Sequence, residues 1–440
     1  LAVRLQRAIL LAAGLAGVLA ACFEGRGLVG AVCYADNQCG VDQTCVNSVC
    51  GVCNNQVVDP GELCFGASSE ENVFGEVSDL IAYDPEGDNY APLVIATVNN
   101  NCEPLPMTGP PTADGASCWQ VFALIFDDGG DFEVASLLDD EIGDGRIPQA
   151  STGNFDGEST MDLALAIFPN DPLIDQSQLV VAHNLALGDA EPVVIEIDIS
   201  VRAKSLHAAD LNGDGLDDLL IGGEASSSLV ELISLPGVGF ENERLQVVND
   251  VTPRPAPPVD MDGDGDLDVA LVSPIDRTVS VYRNDGGGNL SVVQRVDLDT
   301  HAPLDLAVAD FDQDGAQDVV VFAIPEMPQN TDLVSEVRVF RGLGDGTLEL
   351  EQTLPGGELP ISGLAADVNT DGWPDIVVAD FFEDKLPVHI NRGGTFVDLV
   401  NIDVASGPRT LMYVDYDFDT IPDLVVGNGN GVVAGVPSEN

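Results

Sequence analysis

Asp260-Met261-Asp262-Gly263-Asp264-Gly265-Asp266-Leu267-Asp268 runs directly into Val269-Ala270-Leu271-Val272, and the two halves of that stretch together decide the fold. Oxygen side chains stand at positions 1, 3, 5 and 9 (Asp260, Asp262, Asp264, Asp268), with Gly265 at position 6, where a sharp turn needs a positive φ. This spacing brings several hard oxygen ligands round one point, as Ca²⁺ requires at about 2.3–2.6 Å. An EF-hand loop begins in the same way but places a glutamate at position 12 on an exiting helix. Here position 12 is Leu271, inside a β-branched run. The loop therefore feeds a strand.

The motif recurs. Full copies are Asp210, Asn212, Asp214 and Asp218; Asp260, Asp262, Asp264 and Asp268; Asp310, Asp312, Asp314 and Asp318; and Asp367, Asn369, Asp371 and Asp375. A further copy, Asp415, Asp417, Asp419 and Asp423, keeps the carboxylates but has Thr420 in place of glycine. Two eroded copies lie upstream, at Asn154 (Asp156, Glu158, Asp162) and at Asp84 (Glu86, Asp88, Asn89, with Pro92 where the last Asp should be). The starts at 84, 154, 210, 260, 310, 367 and 415 are separated by 70, 56, 50, 50, 57 and 48 residues. A period near 50 in a chain of short apolar runs bounded by Gly, Asn, Asp and Pro points to a propeller. The fifth repeat reads as four strands, Leu304 to Phe311, Asp318 to Ala323, Glu336 to Arg341 and Leu348 to Leu354, which is one blade. The last repeat has no room for a fourth strand, so residues around Glu71 to Val77 are expected to supply it and close the ring, because an open array would leave sheet edges unpaired.

The N-terminus carries Arg4 and Arg7, the apolar run Ala8 to Ala20, and then Leu19-Ala20-Ala21-Cys22. A charged start, a short apolar stretch and a small-residue cleavage site mark an export signal over 1–21. It resembles a bacterial lipoprotein signal, which implies lipidation of Cys22. The eight remaining cysteines, Cys33, Cys39, Cys45, Cys50, Cys53, Cys64, Cys102 and Cys118, are an even number, as disulfides in an oxidising compartment require. Six of them crowd into 22–65, a segment with too little apolar material to hold a shape unaided. Their pairing is open, and the Cys50-Gly51-Val52-Cys53 spacing also admits zinc. The run Cys53 to Cys64 resembles the Cys-rich repeats of myxobacterial surface proteins. Cys102 and Cys118 bracket a Pro-rich excursion and are expected to pin it at its base.

The repeats of 66–440, which combine the acidic loop, a strand such as Asp318-Val-Val-Val-Phe-Ala323 and the Gly-rich turn Asn284-Asp285-Gly286-Gly287-Gly288, resemble the FG-GAP/VCBS family, the seven-bladed propeller of integrin α-subunit heads. The resemblance implies an all-β, seven-bladed propeller of four-stranded antiparallel blades. It also implies four to five Ca²⁺ ions in the loops on one face and partner binding on the other. The candidate contact elements are the 102–118 excursion, Pro325 to Val334, and Asp380 to Lys385 with the pair Phe381-Phe382.

Charge restricts the partners. Lys plus Arg number 16 against 74 Asp plus Glu, a net charge of −58. This surplus argues against nucleic acid and anionic lipid, which need a basic surface. The four histidines (His183, His207, His301, His389) show no paired-ligand spacing, and there is no nucleophile elbow or leftover cysteine. His207 and His301 begin inner strands, within reach of the central channel, but the expected role of both is a packing or solvated one. The expectation is a calcium-binding, non-catalytic adhesion module, exported and lipid-anchored at the outer membrane or cell surface of a Gram-negative bacterium, which contacts a surface or extracellular protein or glycan. The alternative is a polysaccharide-active enzyme of lyase type. It would need a cluster of basic and His or Tyr residues in one groove, which the sequence does not display.

Overall fold

The computed structural model describes residues 31–32, 44–46, 49–51, 69–72, 76–83, 93–99, 119–126, 132–138, 146–158, 160–168, 176–183, 193–224, 226–237, 239–241, 243–326, 334–404, 407–415, 422–429 and 432–436. The expectations for Cys22, for the eight cysteine side chains, for the loop at Asp84 and for Asp417 and Asp419 lie outside the described residues.

Among the described residues a small three-stranded sheet lies in the Cys-rich segment, and seven four-stranded antiparallel sheets follow. From the innermost strand (A) outward (to D), blade one is Glu76–Tyr83, Leu93–Asn99, Trp119–Phe126 and Phe132–Leu138. Blade two is Arg146–Gly153, Asp162–Phe168, Ser177–His183 and Val193–Ile199, and blade three is Arg202–Ala209, Asp218–Glu224, Ser228–Leu232 and Arg244–Val247. Blade four is Arg254–Pro255, Val269–Ser273, Thr278–Asn284 and Leu290–Asp297; blade five is His301–Ala309, Asp318–Pro325, Glu336–Gly342 and Leu348–Pro355. Blade six is Pro360–Ala366, Asp375–Asp380, Lys385–Asn391 and Phe396–Asp403. The last sheet joins Pro408–Val414, Asp423–Asn428 and Val432–Val436 to Ser69–Asn72, a strand from near the start of the chain. The closing strand is thus Ser69–Asn72, and Val77, expected to belong to it, lies instead in strand A of blade one. Each sheet packs on the next and the last packs on the first, an all-β propeller.

Burial is greatest in the B strands, partial in the channel-lining A strands and least in the D strands, and the sequence follows it. Beyond an opening Asp the B strands are mostly apolar because a neighbouring blade covers each face: Asp318–Pro325 reads DVVVFAIP and is buried over its first six residues. The D strands stand at the rim and alternate, as in Leu348–Pro355, LELEQTLP. The core is therefore a set of wedges between blades rather than one body. Val272, Val279, Leu306, Val319 and Val321 fill the wedge between blades four and five, and Phe311, Phe322, Val337, Val378 and Phe396 fill the next.

Inner-strand geometry shapes the channel. In blades one, three, five, six and seven the A–B ladder slips by one residue, at Val77/Asp79, Ala203/Ser205, Pro303/Asp305, Pro360/Ser362 and Pro408/Thr410. A bulge re-aims the side chains beside it, and all five residues after the slip line the central pocket. Blade four differs because Pro253, Pro255, Pro257 and Pro258 supply no N–H donors, which leaves a strand A of two residues.

Candidate metal centres

The acidic loops join strand A to strand B and therefore open on one face of the disc. In blades three to six, backbone N–H groups fix their shape. The position-1 carboxylate accepts at both oxygens: Asp260 takes the N–H of Gly263 (2.7 Å) and of Gly265 (3.1 Å), and Asp310 takes those of Asp314 (3.1 Å) and Gly315 (3.0 Å). Positions 3 and 5 each accept the N–H two residues on, as in Asp264 N to Asp262 and Asp266 N to Asp264. The glycine at position 6 is left-handed, with φ of 92° at Gly215, 96° at Gly265, 92° at Gly315 and 90° at Gly372.

Position 9 begins strand B and is the most buried residue of each motif. Its carboxylate fastens the loop to the sheet. Asp268 accepts the Met261 N–H (3.0 Å) from its own loop and the Asn284 N–H (2.8 Å) from the end of strand C, and Asp318 does the same with Phe311 and Gly342. Burial pushes the acids at this position up, against these N–H groups, and the other loop carboxylates add to the effect. Asp218 and Asp318 rise to about 6 and Asp375 to about 8. Asp375 Oδ2 and Asn369 Nδ2 are buried without hydrogen-bond partners.

Oxygens of Asp260, Asp262 and Asp268 lie within 4.8 Å of one another, and so do those of Asp310, Asp312 and Asp318. Positions 1, 3 and 9 therefore converge as the spacing predicts, but position 5 does not join them. Asp264 and Asp314 stand outside both groups, and Asp314 pairs with Arg341. Asp210, Asn212, Asp214 and Asp218 share the hydrogen-bonding pattern, as do Asp367, Asn369, Asp371 and Asp375. With an Asn at position 3, neither loop gathers three acidic side chains. In the last loop only Asp415 and Asp423 lie among the described residues.

The structure adds a group that the sequence reading left out. Asp156 and Asp162 of the eroded second loop come together with His183, which closes strand C of the same blade. Burial pulls the His183 ring down, but the Asp162 and Asp156 carboxylates outweigh it and leave it above its ordinary value. The other histidines are not ligands here: Nε2 of His207 lies 2.9 Å from Pro255 O, and that of His389 lies 2.9 Å from Pro355 O. His301 is buried, with Nε2 against Val334 O (3.1 Å), and does not line the central pocket.

A pocket of about 650 Å³ lies at the centre of the ring and holds Lys204, His207, Arg254 and Arg409 together with Asp79 and Asp305. This basic cluster corrects the expectation that no groove would contain one. Many of its polar groups serve the next blade. Asp79 takes the Ala150 N–H (2.9 Å), Gln149 takes the Leu206 N–H (2.9 Å), His207 meets Pro255 O, Arg254 donates to Leu304 O (2.5 Å) and Asp305 takes the Gly363 N–H (3.3 Å). The channel-facing edges of the A strands have no ladder partner, and these side chains replace it.

Antiparallel strands place the B–C loops on the face opposite the acidic loops. There Ile275, Val334 and Phe382, from blades four, five and six, are each at least 60% exposed. Phe381 is half-buried beneath the Arg409 guanidinium, 5.4 Å from the ring centroid.

The FG-GAP-like repeat family matches residues 260–321 and 367–426, which take in the acidic loops of blades four to seven. No curated protein matches the chain. Among solved structures, a catalytically inactive virginiamycin B lyase from Staphylococcus aureus, crystallised with quinupristin, superposes with a TM-score of 0.50 at 7% identity, over 84% of this chain and 98% of that one. At such identity the likeness concerns the fold.

Proposed function

We propose that this protein is a calcium-binding, non-catalytic binding module, tethered to the cell surface through a lipid on Cys22, whose disc presents its B–C face to a protein or glycan. The observation that carries the reading is the convergence of Asp260, Asp262 and Asp268, and of Asp310, Asp312 and Asp318, within 4.8 Å. Ligands on opposite sides of a Ca²⁺ ion with bonds of 2.3–2.6 Å are about 5 Å apart, so an ion of that size fits between these oxygens. An all-oxygen donor set and the mutual repulsion of the carboxylates favour a hard divalent cation. The exposed Ile275, Val334 and Phe382 support the opposite face as the contact surface. The test is calcium titration of the chelator-treated full chain, followed by calorimetry and native mass spectrometry. At least two ions and a raised melting temperature are expected. No bound ions and an unchanged melt would overturn the reading.

A second reading, a lyase acting on acidic glycans, is favoured by the gathering of Lys204, His207 and Arg409 beside Arg254 in the central pocket. It competes with the bracing role that occupies His207 and Arg254. Release of unsaturated products from an acidic glycan, abolished in Lys204→Ala, would replace the binding-module reading with this one.

A further inference from the structure

We propose that blade two holds a first-row divalent transition ion of the Zn²⁺ class between Asp156, Asp162 and His183, a centre chemically distinct from the calcium loops and independent of them. The argument begins with register. Leu163 pairs with Ala182 in blade two, Val269 with Tyr282 in blade four and Val319 with Phe340 in blade five. The next residue on strand C in each case faces the acidic loop: His183, Arg283 and Arg341. Arg283 reaches Asp262 (3.5 Å), and Arg341 reaches Asp312 (2.9 Å) and Asp314 (2.5 Å). A guanidinium has only donors and neutralises such a loop from outside, whereas a neutral imidazole offers a lone pair to a metal. Blade two therefore replaces a counter-ion with a ligand.

The geometry around His183 accommodates a shared ion. Its Nδ1 lies 3.0 Å from Asp162 Oδ2 and 3.6 Å from Asp156 Oδ2. Ligands of a tetrahedral ion with bonds of 2.0–2.2 Å are about 3.3–3.6 Å apart, so the Asp156 separation matches and the Asp162 one would open by about 0.3 Å. The ring is fully buried, yet neither nitrogen has a hydrogen-bond partner. The 3.0 Å approach to Asp162 is a charge contact. The carboxylates are themselves anchored from behind: Asp162 Oδ2 accepts the Phe155 N–H (3.0 Å), and Asp156 Oδ1 accepts the Glu158 N–H (2.8 Å). Such outer contacts orient ligands. Asp156 is 6% exposed and Asp162 is 0%, so a dication would cancel two buried negative charges that a neutral ring leaves standing. Calcium fits poorly, since it takes six to eight oxygens, whereas one nitrogen and two carboxylates with a vacant position suit Zn²⁺ and its neighbours.

The full chain and its His183→Gln and Asp156→Asn variants are stripped with chelator and incubated with Zn²⁺ just below the melting temperature, because the buried site should exchange slowly. Bound ions are then counted by native mass spectrometry. Wild type should hold one more Zn²⁺ than either variant at equal Ca²⁺ counts, and its melting temperature should rise with Zn²⁺ through a component that both variants lose. Affinity at that site should fall by at least about 100-fold. Counting in both variants keeps cysteine-bound zinc out of the comparison. If His183→Gln does not fold, Asp156→Asn, which changes a single atom, decides. Equal zinc counts in wild type and variant would overturn the proposal and leave His183 as an imidazolium paired with Asp162.

Discussion

Replacing Asn284 tests whether the acidic loops are held in shape by the turn that follows them. This fully buried side chain makes four hydrogen bonds: Nδ2 donates to Leu211 O (2.7 Å) in the loop of blade three and to Leu267 O (3.1 Å) in its own loop, and Oδ1 accepts from Gly286 N (3.1 Å) and Gly288 N (2.9 Å). At about 1 kcal/mol net for each bond, Asn284→Ala should cost about 4 kcal/mol. Asn391 occupies the matching turn in blade six with three such bonds, to Phe311 O, Pro374 O and from Gly394 N, so Asn391→Ala should cost about 3 kcal/mol. The two sites share no partner, and the double variant should lose the sum. Asn289, which is exposed and bonded only to Asp285, is the control, with a change within about 0.5 kcal/mol. Urea melts at saturating Ca²⁺ measure all four, and Ca²⁺ affinity should fall with Asn284→Ala, because its Nδ2 also holds the Leu267 carbonyl of the acidic loop. A loss below about 1 kcal/mol for Asn284→Ala, or an equal loss for Asn289→Ala, would refute the clasp.

Within the loops, Asp260→Asn should weaken Ca²⁺ binding in calorimetry more than Asp264→Asn, because position 5 stands outside the converging group. Burial raises Asp79 to about 7, so the folded state keeps a proton that the unfolded chain has already released. The stability this confers is fully present below the ordinary carboxylate range and is lost as pH rises towards and through about 7, at most about 4 kcal/mol. Melting temperature should therefore fall between pH 5 and pH 8 more steeply in wild type than in Asp79→Asn. Deleting 69–72 removes the partner of Val432–Val436 and should lower the melting temperature of the whole disc, whereas Phe382→Ser, at an exposed position, should leave it within about 1 °C and reduce only partner binding.

The elements legible in the sequence are those that repeat with one chemistry. Asp260 to Asp268 and its copies stood out because a strand start and a turn need the same residues every time, and the doubly covered B strands followed as unbroken apolar runs. The side chains that brace the A strands were not legible. Asp79, Gln149, His207, Arg254 and Asp305 do one job with four kinds of side chain, so no pattern marks it. His183 escaped for a different reason. It lies 21 residues beyond Asp162, and only the B–C register brings the two together. The signal available was the basic residue at the same place in other blades, Arg283 and Arg341, one step before or within the C–D turn. Asp264 and Asp314, at position 5, stand outside the converging groups, a side-chain orientation that spacing alone does not give.

The strand Ser69–Asn72, which pairs with Val432–Val436, sets the timetable of folding. Blades one to six can each form as soon as their own residues are available, but the circle waits for this strand, the most distant pairing among the described residues and the slowest kind to find. Until then Val432–Val436 of the last sheet presents a naked edge, the surface on which chains join one another. A net charge of −58 repels such half-built discs from their copies during that interval. The acidity that invites cations to the finished protein thus also protects the unfinished one.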